Sequence, residues 1–76
     1  MMDLDFDFEF SNRVLSFGTR SYELFVLFES HTAEYVLSIE RDNFAEVVAV
    51  LAKCWQQGQP VKVRVHGIQI LTAYGE

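Results

Sequence analysis

Along residues 4–10 the chain alternates strictly. Leu4, Phe6, Phe8 and Phe10 fall on one side, and Asp3, Asp5, Asp7 and Glu9 on the other. Side chains of an extended chain point to opposite faces in turn, so this period of two predicts a half-buried strand. Ser11-Asn12-Arg13 reads as a turn, Val14–Phe17 as a short apolar piece, and Gly18-Thr19 as a break before the next strand. Tyr22–Glu29 is a strand of another kind. Tyr22, Leu24, Val26 and Phe28 share one face, while Phe25 and Leu27 occupy the other, so both faces are apolar. After the loop Ser30-His31-Thr32, Tyr35, Leu37 and Ile39 return as a further strand. A loop this short permits only antiparallel pairing.

Residues 43–57 change period. Phe44, Val47, Val48, Leu51 and Trp55 recur at the spacing of one helical face. Asp42 or Asn43 can cap the start, Asn43 followed by Glu46 resembling a capping box, and Gly58 with Pro60 marks the end. Beyond Pro60 the period of two resumes, with Val61, Val63 and Val65 opposite Lys62 and Arg64. His66-Gly67 reads either as a hairpin turn, placing Val65 opposite Ile68 and Val63 opposite Ile70, or as a bulge in one continuous strand. The pattern predicts one α+β domain over residues 1–76. Its order is β-β-β-β-α-β-β, with a mostly antiparallel sheet and one amphipathic helix packed on one face. A ferredoxin-like arrangement is excluded by the missing first helix.

Size changes the picture next. A chain of 76 residues buries only about 60% of its unfolded surface, so small domains recruit disulfides, metals or partners. Cys54 is the only cysteine, and His31 and His66 show no metal-ligand spacing, which predicts no metal and no cofactor. Half the residues are apolar, a generous supply for so small a body. One helix covers one sheet face, so Phe25, Leu27 and Val36 are expected to remain open and to drive self-association, giving a homodimer.

Charge is unevenly placed. The first ten residues hold four acids and no base, so they carry −4 of the net −5. On a strand, alternate residues stand roughly 6.6 Å apart, close to the spacing of successive phosphates. Asp3, Asp5, Asp7 and Glu9 are therefore candidate partner-binding residues, forming a ladder suited to a basic, nucleic-acid-binding surface of another protein. Simple solvation of an edge strand, or pairing with Arg13, Arg20, Lys62 or Arg64, is the plainer use of such a run. A flat strand does not converge its oxygens as calcium requires. Lys62, Arg64 and His66 make too small a basic face for direct nucleic-acid binding.

No base is placed beside Cys54, which reads as a packed thiol, and no carboxylate pair or glycine-rich loop suggests catalysis. The longest apolar run, Val47–Ala52, falls far short of the roughly 20 residues that span a bilayer. The expectation is a small acidic cytoplasmic protein, not an enzyme. It would act as an inhibitor or adaptor on a basic protein partner, or else as an assembly subunit that works by homo-oligomerisation.

Overall fold

A computed structural model describes residues 7–75 of the chain. Its elements are β1 (Asp7–Asn12), β2 (Val14–Arg20), β3 (Glu23–Phe28), β4 (Glu34–Ser38), α1 (Phe44–Gln57), β5 (Val61–His66) and β6 (Gln69–Gly75). The expected α+β class holds: one helix packs against a six-stranded, mostly antiparallel sheet. The sheet order is β1-β5-β6-β4-β3-β2, and β4 with β6 is the parallel pair.

That order has a geometric consequence. β1 and β2 lie at opposite edges of the sheet, yet only Arg13 separates them in the chain. Strands are spaced about 4.8 Å apart, so six strands laid flat would put these edges about 24 Å apart. Asn12 and Val14 are two residues apart and lie within about 7 Å. The sheet therefore curls until its edges meet at Arg13. The Glu29 N–H donates to the Arg13 carbonyl at 3.0 Å and the Ser30 N–H to Asn12 Oδ1 at 3.3 Å, stitching the bend to the end of β3. The result is a partly open Greek-key barrel with one bent strand shared by both ends of the sheet, a connectivity of the OB type.

The barrel interior takes one side chain in two from each strand. Val26, Val61, Val63, Val65 and Ile70 are fully buried, and Val47, Leu51 and Cys54 of α1 close the core over them. Fully burying an aliphatic side chain of this size is worth about 1.5–3 kcal/mol. Phe10 of β1 reaches across to Phe28 (ring centroids 5.2 Å apart) and Tyr35 (5.3 Å), and stacks on His31 at 4.0 Å. Rings from both ends of the sheet thus meet inside it.

Several expectations are corrected. Ser11 and Asn12 continue β1 and do not turn, and β2 runs through Gly18 to Arg20. The chain reverses at Ser21 and Tyr22, which leaves Tyr22 74% exposed in the turn before β3 begins. Ile39 lies past β4 and is exposed. The β5–β6 connection is a hairpin, but its turn is Gly67-Ile68: His66 faces Gln69 and Val65 faces Ile70. Gly67 takes φ 62° at the first turn position, where glycine serves a type II′ turn. A bulge does occur, at Leu71, so that Val63 pairs with Ala73.

Asn43 forms no capping box; its Nδ2 donates to the Leu71 carbonyl at 2.8 Å and ties the helix start to β6. Trp55, expected in the core, is 47% exposed and meets Phe17 edge-on at 5.3 Å. The helix end is as expected: Gly58 is left-handed (φ 65°), with its N–H on the Trp55 carbonyl and that of Gln59 on the Cys54 carbonyl.

Candidate functional site

The outer surface of the barrel carries the other half of each strand. On β2, β3 and β4 the register sets Gly18 opposite Phe25 and Phe25 opposite Val36, with Leu27 one step along. Phe25, Leu27 and Val36 thus share the face turned away from α1, as their alternation predicts, and all three are half-buried. The Phe25 ring lies over Gly18, and the Arg20 guanidinium sits over that ring, its Cζ 5.0 Å from the centroid. Arg20 also hydrogen-bonds Glu34 and, at 3.4 Å, Glu23. The hydrogen bond to Glu34 is the main cause that holds the Arg20 guanidinium above its ordinary pKa. The face is therefore a short apolar strip bordered by two carboxylates and the arginine between them.

Of Arg20, Glu23 and Glu34, the sequence names only Arg20, as a pairing option for the N-terminal acids; the structure pairs it with Glu23 and Glu34 instead. They come from three strands: the register sets Arg20 opposite Glu23, while Glu34 stands opposite Leu27 and is reached by the Arg20 side chain lying across the Phe25 ring. The one local signal was Gly18, a glycine within an otherwise strand-like stretch, which marks a place where another group approaches closely.

The acidic strand is arranged differently. Asp3 and Asp5 lie outside the described residues. Asp7 and Glu9 are exposed on the outer face of β1, directly opposite His66 and Arg64 of β5. His66 Nδ1 donates to Asp7 Oδ1 at 2.7 Å, and Arg64 Nη2 lies 3.6 Å from Asp7 Oδ2. Arg64 and His66 therefore face the acids across the ladder, with Lys62 opposite Ser11 beside them, so this patch carries both signs. Exposed pairs of this kind add little stability; they fix which charges partners meet.

Cys54 is a core residue at 3% exposure. Among the described residues no group of three or more His, Cys, Asp or Glu side chains is placed to hold a metal ion, and no helix is long and apolar enough to cross a membrane. Compared with protein-family models, curated proteins and solved structures, the chain matches none. Its reading rests on its own geometry.

Proposed function

We propose that this chain is a non-catalytic protein-binding module whose contact surface is the outer face of β2–β3–β4. The observation that carries the reading is the half-buried strip Phe25, Leu27 and Val36, which points away from α1 and has the Arg20 guanidinium over its Phe25 ring. Central apolar groups inside a polar rim are the usual anatomy of a binding patch. The rim here holds Glu23 and Glu34 against Arg20, and the whole chain carries −5, so the fitting partner presents an apolar tip among basic side chains. By fold analogy alone, the corresponding face of OB-type barrels receives oligonucleotides. Two carboxylates on this one oppose a phosphate backbone.

The acids of residues 1–10 serve the same proposal by long-range attraction of a basic partner, in the manner of an inhibitor or adaptor. A second reading, self-association through the same strip, is favoured by the rim's mixed charge. Arg20 of one copy can meet Glu23 or Glu34 of another about a twofold axis. A photoreactive residue at Val36, with Lys53 on the helix as control, tests both. An adduct at twice the chain mass supports the homodimer, one of other mass supports the partner, and none at Val36 refutes the surface.

A further inference from the structure

We propose that β1 is exchanged between two copies of this chain, each barrel being closed by the other's first strand. The proposal uses a surface distinct from the outer strip and does not rest on it.

β1 is joined to the rest of the barrel by Arg13 alone, and there the chain must pass from one edge of the sheet to the other. Its described partners form a seat that matches it in backbone pairing, in charge at Asp7 and in ring packing at Phe10. The backbone ladder to β5 runs from Asp7↔His66 to Asn12↔Val61, and Asp7 meets Arg64 and His66. Phe10 fills the ring pocket made by Phe28, His31 and Tyr35. A second copy's β1 satisfies each of these contacts identically, because the seat recognises sequence and not connectivity.

Only the bend differs between the closed and exchanged forms. In the closed form Asn12 Oδ1 takes the Arg13 N–H at 2.8 Å and the Ser30 N–H at 3.3 Å, and the Glu29 N–H donates to the Arg13 carbonyl at 3.0 Å, so three hydrogen bonds hold the turn. Straightening at Arg13 releases that turn and merges residues 7–20 into one strand. Exchange of an identical element through a short hinge is a low-cost route to a dimer. Beyond these bend contacts, the closed form is favoured by the high effective concentration of a tethered strand, which protein at millimolar concentration matches.

The test uses two single-thiol chains in a Cys54→Ala background, one carrying Glu9→Cys and the other, isotopically heavy, Arg64→Cys. Positions 9 and 64 are directly opposite in the ladder. Opposite residues of an antiparallel pair stand about 4.5–5.5 Å apart, within disulfide range. The chains are mixed, refolded together at high concentration, oxidised and mapped by mass spectrometry. Exchange predicts a heavy–light pair linked 9 to 64. The linked fraction should rise several-fold with Arg13→Pro, which favours an extended Asn12, and fall several-fold when two glycines are inserted after Arg13. Chains that stay single overturn the proposal. So does a linked fraction that the glycine insertion leaves unchanged, since that marks chance collision; this arm stands even if Arg13→Pro does not fold.

Discussion

Gly18 and Phe25 face each other across β2 and β3, and the ζ carbon of the Phe25 ring lies 2.8 Å from where a Cβ on residue 18 would stand. Gly18 lies outside the positive-φ glycines, so its backbone accepts a side chain and only the ring forbids one. Gly18→Ala should therefore cost about 1 kcal/mol, as overpacking does. In a Phe25→Ala background the same change should be neutral or favourable by about 0.5–1 kcal/mol, since alanine loses less backbone entropy than glycine. Urea midpoints of the four chains measure the coupling. Additive effects would mean that the ring does not lie there.

The helix gives a graded pair. Leu51 is 1% exposed, and Leu51→Ala should cost about 2–5 kcal/mol. Trp55 touches Phe17 with half its surface in solvent, so Trp55→Ala should cost less, about 1–2 kcal/mol. In a domain of this size the first change leaves little stability in reserve. Equal losses in chemical denaturation would contradict the packing of α1.

Both periodicities were legible because they are local. The face on which Phe25, Leu27 and Val36 lie follows from alternation, and the left-handed Gly58 follows from the end of the helical spacing. The bend at Arg13 was not legible, because the polar–apolar pattern shows neither a turn nor its direction when a strand changes partners. Trp55 was placed wrongly because periodicity gives a helix its face but not its tilt over the sheet, and here Cys54 points inward instead. Asn43 left its cap for the Leu71 carbonyl, a contact 28 positions away that no local rule could find. The Arg20–Glu34 contact, 14 positions apart, is hidden for the same reason.

Ser21 is the one described non-glycine residue with positive φ, at 49°. An L-residue there pays about 1–2 kcal/mol, partly offset in glycine by its greater unfolded freedom. Ser21→Gly should raise stability by about 0.5–1 kcal/mol, and Ser21→Val should lower it. Thermal melting checks both.

Burial raises the Tyr35 phenol above its ordinary value of about 10. Because the folded pKa is the higher one, its stabilising effect is complete below the unfolded value and is lost as pH rises through the folded value. Stability should therefore fall from about pH 10 upward. Tyr35→Phe should flatten that alkaline limb, visible as a melting temperature less dependent on pH.

Photo-crosslinking at Val36, inside the cell of origin, tests the central claim most directly. The proposed surface predicts an adduct from position 36 and none from Lys53 on the opposite side. That adduct should disappear with Phe25→Glu, and in a lysate of the same cells it should weaken with added salt. Equal labelling from both positions, or an adduct indifferent to Phe25→Glu in a chain that still folds, would contradict it.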